Sequence, residues 1–482
     1  MASSSQRSNY KLTFFVLVTG VSSYALLQSL VIPALSSIQS SMHTSQNTVT
    51  WVVTAYLLSA SIFTPIMGRI GDMYGKQKMF VVALGALGAG SVIAALAHTI
   101  GLLIIGRAVQ GIGGGVLPLA FGIIRDEFPK EKLGSAIGTI AAMTAVGAGL
   151  GLVLAGPIIV HLGVDYLFWI PFAMTVIAAL SAYFFVPESP VRTEGSINWG
   201  AALLLSGWLV TLLLAVSEAP VWGWGSSRVL ILFGITAVLI ALWMMVEHRV
   251  ASPLIDMKMM AIPAVWTNNL TAFLFGIGMY SIFAFLPEFL QTPRATGYGF
   301  GFSTLVSGLY LLPMTTGMFI LGLYSGKIAA RFGSKTAVVA GSAISCFGYF
   351  TLAVAHSKGW QILIVSSLLG IGLGLAFSAM SNLIVMAVPS SQTGVASGMN
   401  ANIRTIGGAV GAGIMSSIVT SSMLGDGFPS ARGYTNGFIF LGVLTAIATL
   451  GALLIPRLDR SPGPRMNHAE LSIVPGGTTT EG

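Results

Sequence analysis

The chain has 482 residues, of which 54% are hydrophobic and 8% are charged. Soluble globular proteins carry about 25% charged residues, so this composition excludes an ordinary soluble domain and places most of the chain in lipid. Its single cysteine, Cys346, excludes an intrachain disulfide and metal sites built from several thiolates.

Fourteen apolar runs follow one another along the chain, most of them near the ~20 residues that a helix needs to cross a bilayer. They predict an all-α integral membrane fold with fourteen transmembrane helices. The first run is too long for the apolar region of a signal peptide, and no small-residue cleavage site is evident, so we expect it to be retained. The predicted helices occupy about residues 12–36, 48–68, 79–97, 101–122, 134–159, 165–186, 198–217, 229–247, 264–288, 302–325, 336–355, 361–387, 394–420 and 436–455.

Basic residues are distributed unequally between the two sides of these helices. Of the 23 Lys and Arg residues, 17 fall on the side of the N-terminus, four on the other side, and two, Arg107 and Arg404, within helices. Because basic residues accumulate on the cytoplasmic side, we predict a multi-pass protein of the cell membrane with both termini in the cytoplasm. The same bias explains the formal net charge of +8 without nucleic acid as a partner.

A short polar hinge, Gly68–Lys78, lies between the second and third predicted helices. A degraded copy begins 258 positions later, at Gly326–Lys335, with Ala330 where the first copy has Asp72. Four glycines of the fifth predicted helix also recur 260 positions later in the thirteenth: Gly134, Gly138, Gly147 and Gly151 against Gly394, Gly398, Gly407 and Gly411. Internal duplication of this kind is typical of membrane transporters.

The repeat predicts how the chain is divided. Residues 1–190 and 261–456 would form two pseudo-symmetric six-helix bundles, with an inserted helix pair and its linkers at 191–260 between them. Residues 457–482 have little apolar content, which favours a disordered cytoplasmic tail.

Three stretches resemble motifs of the major facilitator superfamily, in particular its fourteen-helix drug:proton antiporter group. They are the hinge at Gly68, Asp72, Gly75, Lys76 and Lys78, the Arg-x-x-Gln-Gly pattern at Arg107, Gln110 and Gly111, and Arg404 before Gly407 and Gly408. The resemblance implies an exporter of small organic, drug-like molecules that works by proton antiport and alternating access. Its partners would be the small-molecule substrate, protons and the lipid bilayer, and such folds often work as monomers.

Three features depart from the pattern of that group. The first helix has no acid, the proline of the fifth-helix glycine motif is displaced to Pro157, and Val164–Tyr166 replaces an aromatic-Arg-aromatic signature. These departures favour an alternative, an importer or uniporter of a small organic solute without proton antiport. A receptor or structural protein that has lost transport is a further alternative, against which the intact Asp72 hinge stands.

The hinge residues Gly68, Asp72, Gly75 and Lys76 are interpreted as a conformational latch that stabilises one access state. The sequence places Asp72 just ahead of the third helix, where a carboxylate can accept backbone N–H groups. Lys76 is expected at the membrane face, and the glycines permit a tight turn. The alternative is a capped turn with cytoplasmic anchors.

Arg107, Glu288 and Arg404 are the candidates for transport or coupling. An arginine inside the membrane is costly, so each arginine should face a cavity or a partner; the alternative is a structural arginine bonded to neighbouring helices. Glu288, near the outer end of the ninth helix, could exchange a proton if it is partly buried. The alternative for Glu288 is an exposed residue at a helix end.

Gln28, Gln110 and Asn402 are the candidates for the substrate cavity. The two intramembrane arginines, together with the lack of an acid at the middle of any predicted helix, favour neutral or anionic substrates over strongly cationic ones.

Enzymatic activity is not expected. The chain has no HExxH motif and no paired cysteines, and its glycine run Gly111–Gly115 lies inside a membrane helix without the Lys-Ser/Thr that a phosphate cradle requires. We therefore predict neither a cofactor nor a metal site.

Overall fold

The computed structural model describes residues 10–192, 197–250, 253–424 and 428–456. Within these ranges the fourteen predicted transmembrane helices are confirmed, and no β-strand occurs. We label them α1 to α14 in chain order: Tyr10–Ala34, Trp51–Tyr74, Lys76–Ala95, Ile100–Glu127, Lys130–His161, Tyr166–Phe185, Trp199–Trp222, Ser227–Arg249, Pro263–Gln291, Leu305–Phe332, Ser334–Val354, Gly359–Ala387, Ser390–Thr420 and Ala431–Leu453.

Glycines and polar caps separate consecutive helices. Gly75 between α2 and α3 has φ 121°, and Gly333 between α10 and α11 has φ 90°, a backbone conformation that residues with a Cβ rarely adopt. On the opposite side, the Thr99 hydroxyl accepts a hydrogen bond from the Leu102 amide and caps α4. We call the side of the bundle with Gly75 and Gly333 the hinge face, and the other side the opposite face.

The two repeated halves meet mainly through two helix pairs, α2 with α13 and α5 with α10. Near the hinge face, the backbone of Gly68 on α2 lies against Gly394 on α13. The equivalent residues of the repeat meet in the same way, because Gly326 on α10 lies against Gly134 on α5. Small residues allow this close approach of backbones. The sequence repeat is therefore a structural repeat of the interface between the halves.

The inserted pair lies to one side of this interface. α7 packs on α8 and also contacts α2 and α13, one helix from each half. The Trp224 indole N–H donates to the Ser417 hydroxyl on α13 at 2.8 Å. Large apolar side chains on α8, including Ile231 and Val238, are exposed, as expected for a surface in contact with lipid.

The predicted boundaries after residues 190 and 260 fall in connections between helices, ahead of α7 and α9 respectively. The division into domains remains a prediction. The predicted tail, residues 457–482, lies outside the described residues.

Several helices are longer at the hinge face than the apolar runs predict, and two of them matter for the site described below. α4 extends to Glu127 instead of ending near residue 122, and α5 begins at Lys130 instead of near residue 134. The additional turns contain charged residues, which a hydropathy criterion excludes from a membrane helix. Asp126 is nevertheless buried at the end of α4, because it is paired with a lysine from α3.

The close contact of α2 and α13 leads to a first prediction. A Cβ atom added at Gly68 would lie 2.5 Å from the carbonyl oxygen of Gly394. We expect Gly68→Val to force these helices apart and to lower stability by about 1–3 kcal/mol, measured by thermal unfolding of the purified protein in detergent.

Gly85→Val is the matched control, because nothing lies within 4 Å of a Cβ added there. We expect the control to unfold within about 0.5 kcal/mol of the unsubstituted protein. Equal stabilities of the two variants would contradict the assigned contact.

Candidate functional site

Asp72 joins the two halves of the protein at the hinge face. Its side chain is fully buried, with Oδ1 3.2 Å from the amide nitrogen of Gly394 and Oδ2 3.0 Å from that of Val395. Both amides belong to the first turns of α13, where N–H groups have no partner within their own helix and the helix dipole favours negative charge. The carboxylate thus binds the N-terminal end of a helix from the other half.

This arrangement corrects the predicted position of Asp72. The residue lies inside α2 rather than ahead of α3, because α2 continues to Tyr74 and only Gly75 turns the chain. The helix that it caps is α13, which lies more than 300 residues further along the chain. The capping chemistry was predicted from the sequence, but the capped helix was not.

Lys76 is fully buried, so its predicted position at the membrane face is wrong. Its ammonium nitrogen lies 2.7 Å from Oδ2 of Asp126 on α4 and 3.6 Å from Oδ1 of Asp72. The Ser189 hydroxyl also donates to Asp126. A buried ammonium needs opposite charges around it, and these two carboxylates supply them. Lys76 therefore connects the latch carboxylate to α4.

Gly75 is required for its turn and also for the approach of a third carboxylate. A Cβ atom at Gly75 would lie 2.5 Å from Oε2 of Glu188. The Glu188 carboxylate accepts hydrogen bonds from the amides of Gln77 at 3.2 Å and Lys78 at 3.3 Å, which caps the first turn of α3. Glu188 follows α6 by only a few residues, so it holds the end of the first half against the hinge.

A second side-chain contact crosses the interface next to the latch. Arg125 at the end of α4 donates from Nη1 to the Thr393 hydroxyl on α13 at 3.2 Å. Sequence reasoning missed Arg125, Asp126 and Glu188 as members of this site. In the sequence, these three residues stand out only as charged residues that follow apolar runs closely. That placement does not indicate which residue each of them contacts.

A central cavity lies between the two halves. Its volume is about 150 Å³. Three of the predicted site residues, Gln28, Asn402 and Arg404, line it. The other polar or aromatic lining residues are Tyr24, Ser29, Ser61, Thr64, Thr144, Tyr280, Phe283, Phe377 and Thr405. Within the part of the chain that the structure describes, no aspartate or glutamate lines this cavity.

Arg404 on α13 lies at the wall of the central cavity and is 5% exposed. Its guanidinium carbon lies 4.3 Å from the ring centroid of Phe377 on α12, and Nη1 is 3.5 Å from the side-chain oxygen of Asn400. Asn400 in turn donates to the side chain of Asn269 on α9 at 2.8 Å. The guanidinium is therefore held by a ring face and by polar side chains of its own half.

Arg107 has a different environment, inside the first half. Its Nε donates to the carbonyl of Val52 at 3.0 Å, and Nη1 donates to the side-chain oxygen of Gln110 at 2.7 Å. The guanidinium carbon lies 4.3 Å from the ring centroid of Tyr56. Neither Arg107 nor Gln110 is exposed or lines the central cavity.

The prediction that Gln110 lines the substrate cavity is thus wrong. Its amide nitrogen donates to the Ser91 hydroxyl on α3 at 3.0 Å, while its oxygen accepts from Arg107. Both ends of the amide are therefore used within the first half. For Arg107 this environment matches the structural alternative, an arginine bonded to neighbouring helices.

Glu288 lies at the opposite face, in a second cavity next to the central one. Its side chain is exposed there, and the Tyr434 hydroxyl donates to Oε1 at 3.1 Å. The Tyr434 ring packs edge-on against Phe289, with 5.2 Å between the ring centroids. Ile32, Leu152, Phe283 and Ala284 line both cavities, so the two cavities are adjacent. Glu288 thus lies in a cavity that adjoins the central one.

Comparison with known proteins relates this arrangement to one family. The family model described as the Major Facilitator Superfamily matches residues 17–412. The Tetracenomycin C resistance and export protein of Streptomyces glaucescens is 27% identical over 427 residues, which are 86% of this chain and 77% of that protein. The Multidrug resistance protein 3 of Bacillus subtilis is 27% identical over 443 residues, which are 89% and 84% of the two chains.

Solved structures share the fold at lower sequence identity. The human organic anion transporter MFSD10 superposes with a TM-score of 0.67 at 14% identity, over 92% of this chain and 99% of that one. A proton:xylose symporter superposes with a TM-score of 0.67 at 15% identity, over 93% and 96% of the two chains. At these identities the likeness establishes the fold alone.

The latch geometry leads to a second prediction. Asp72→Asn keeps the size of the side chain but removes its charge, and a hydrogen bond to a charged group contributes about 1.5–3 kcal/mol. We expect the variant to insert into the membrane at the normal level and to lose transport, measured as substrate efflux from cells that express equal amounts of protein.

Asp165→Asn is the control, because Asp165 is exposed at the opposite face and has no part in the latch. Efflux by the Asp72→Asn variant at the rate of the unsubstituted protein would refute the assigned role of the carboxylate.

Proposed function

The chain belongs to the Major Facilitator Superfamily, a family of membrane transporters rather than enzymes, and we propose that it exports small organic, drug-like molecules by proton antiport and alternating access. One observation carries this proposal. A cavity lies between the halves, and Asp72 binds α13 at the hinge face, where the two halves meet. In the proposed cycle this contact closes the hinge face and is made in only one of the two access states. Relatives named for multidrug resistance and for tetracenomycin C export support the direction of transport.

The proposed orientation has the hinge face in the cytoplasm, with both termini there and the opposite face outside the cell membrane. The 17 basic residues on the side of the hinge support it. In this orientation the Asp72 latch closes the cytoplasmic side. The second cavity, with Glu288, then lies on the outward route, as release of an exported substrate requires.

The transport cycle requires that the latch opens. Opening the cytoplasmic side separates Gly68 from Gly394 and removes the Asp72 carboxylate from the N-terminal end of α13. Lys76 and Asp126 remain with the first half, so the carboxylate keeps one countercharge during the change. Loading of substrate from the cytoplasm has to compensate for the lost hydrogen bonds. The second copy of the hinge has Ala330 in place of the aspartate and cannot duplicate this interaction.

Glu288 is the proposed site of proton exchange, with Tyr434 as its hydrogen-bonding partner. It is an acid next to the route between the central cavity and the opposite face, where protons from outside have access. Arg404 and Asn402 are the proposed groups that contact the substrate, and Gln28 lies on the wall from the first half. The protein is proposed to act as a monomer, because the cavity is formed within one chain.

A uniporter without proton antiport is the second candidate function. The specific observation in its favour is that no carboxylate lines the central cavity, so the substrate and a proton would not compete for one site. The displaced proline of the fifth-helix motif, Pro157, points the same way.

The two candidates lead to a third prediction, tested in vesicles with an imposed pH gradient. For the antiporter, the gradient accelerates substrate movement through the unsubstituted protein. We expect Glu288→Gln to lose this acceleration while still binding substrate. The amide of glutamine can hydrogen-bond to Tyr434, but it does not exchange a proton near neutral pH.

Glu131→Gln, a change of an exposed residue at the hinge face, is the control and should retain the gradient response. A gradient response that survives Glu288→Gln would rule out Glu288 as the coupling acid. A lack of response in the unsubstituted protein would favour the uniporter.

A further inference from the structure

We propose that the central cavity selects aromatic anions and rejects organic cations, with the anionic group of the ligand held by Arg404 and Asn402. The inference rests on the proposed function in one respect, namely that this cavity is the transport site. It deepens that function by assigning a charge and a shape to the substrate.

The first argument is the charge of the cavity wall. Among the described residues that line the central cavity, Arg404 is the one that carries a charge. Of the two acids in the neighbouring sites, Asp72 is engaged by α13 and Lys76, and Glu288 lines the second cavity. A cationic ligand in the central cavity would lose its hydration next to a like charge and gain no countercharge, which is strongly unfavourable. An anionic ligand would gain the countercharge that the guanidinium lacks.

The second argument is a group of buried polar atoms without protein partners. The side-chain nitrogen and oxygen of Asn402 are both buried and form no hydrogen bond, and Nε of Arg404 is in the same condition. Asn402 is 1% exposed and Arg404 is 5% exposed, and both line the cavity. Buried polar groups are almost always hydrogen-bonded, so unpaired ones at a cavity wall indicate a ligand. Two of the three atoms are donors, as an anion requires.

The third argument is that the guanidinium is already oriented. The face of Phe377 supports it at 4.3 Å. On its own helix, Asn400 donates to Asn269, which leaves the Asn400 oxygen directed at Nη1 of Arg404. A group held in this way loses little side-chain entropy when it binds a ligand. Its Nε donor remains free for a carboxylate or a phenolate.

The fourth argument concerns shape and polarity. Away from Arg404, the wall combines aromatic rings and apolar side chains, among them Tyr24, Tyr280, Phe283 and Met318, with uncharged polar side chains such as Ser61. Such a surface suits a planar aromatic body. The position that corresponds to Arg404 in the first half is Thr144, 260 residues earlier, which also lines the cavity. The positive charge therefore lies on one half only, and the polar end of the ligand would point toward the second half.

The test uses three ligands with one ring system and different charges: naphthoate, naphthalenemethanol and naphthylmethylammonium. Binding to the purified full-length protein in detergent is measured by isothermal titration calorimetry. We expect naphthoate to bind at least about tenfold more tightly than naphthylmethylammonium, with the neutral alcohol between them, a ratio that corresponds to about 1.4 kcal/mol.

Substitutions assign this preference to the proposed residues. Arg404→Gln should reduce the preference for the anion to about twofold or less, and Arg404→Lys should keep part of it, since lysine retains the charge but not the planar donors of the guanidinium. Arg331→Gln, on the exposed hinge face, is the matched control and should leave all three affinities unchanged. Thr144→Asp, which adds an acid to the opposite wall, should shift the preference toward the cation.

Binding of naphthalenemethanol shows that a variant has kept its folded cavity. Equal affinity for the anion and the cation, a preference for the cation, or no binding of any of the three ligands to the unsubstituted protein would overturn the inference. So would an unchanged preference in Arg404→Gln. Selective binding of the anion without energy-dependent export would refute the proposed function and leave this inference standing. Export that does not depend on ligand charge would refute this inference and leave the proposed function standing.

Discussion

The structure depends on one interaction between groups far apart in the sequence, the Asp72 carboxylate with the amide groups of Gly394 and Val395. It satisfies N–H groups that α13 cannot satisfy itself, and it joins the two halves at the hinge face. The small residues follow from it, because a side chain at Gly68 or Gly394 would keep the carboxylate from reaching α13. The ion pair of Lys76 and Asp126 follows as well, since a buried carboxylate needs a countercharge, and Lys76 supplies it from the same half.

The two intramembrane arginines illustrate how the same residue type serves two purposes. Arg107 donates to Val52 and Gln110 within the first half, so it stabilises that bundle as a rigid unit. Arg404 keeps an unpaired donor at the cavity wall, so it is available to a ligand. In the proposed export of an anion, the charge of the ligand also assists its exit. A potential of about 100 mV, negative inside, favours the exit of a monovalent anion by about 2.3 kcal/mol.

Much of the fold could be predicted from the sequence, because membrane helices are long apolar runs and the repeat preserves glycines at a nearly constant offset. The hinge was found for the same reason. The partners of the hinge could not be predicted. Asp72 contacts backbone amides of α13, more than 300 residues away in the sequence, and only the tertiary structure brings them together. Lys76 was placed at the membrane face because a charged residue is usually exposed to water. It is buried instead, because two carboxylates neutralise its charge. The sequence could not separate Gln110 from Asn402, since which of them reaches the cavity depends on the rotation of each helix about its axis.

The central claim is that the Asp72 contact holds the hinge face closed and that this closure defines one of two access states. The most direct test is the distance between spin labels at Lys78 and Arg331, exposed hinge-face positions in the first and second halves, measured by pulsed electron resonance in lipid vesicles. The account predicts a dominant short distance in the unsubstituted protein and a shift of the population to a longer distance in Asp72→Asn. Identical distance distributions in the two proteins would contradict it.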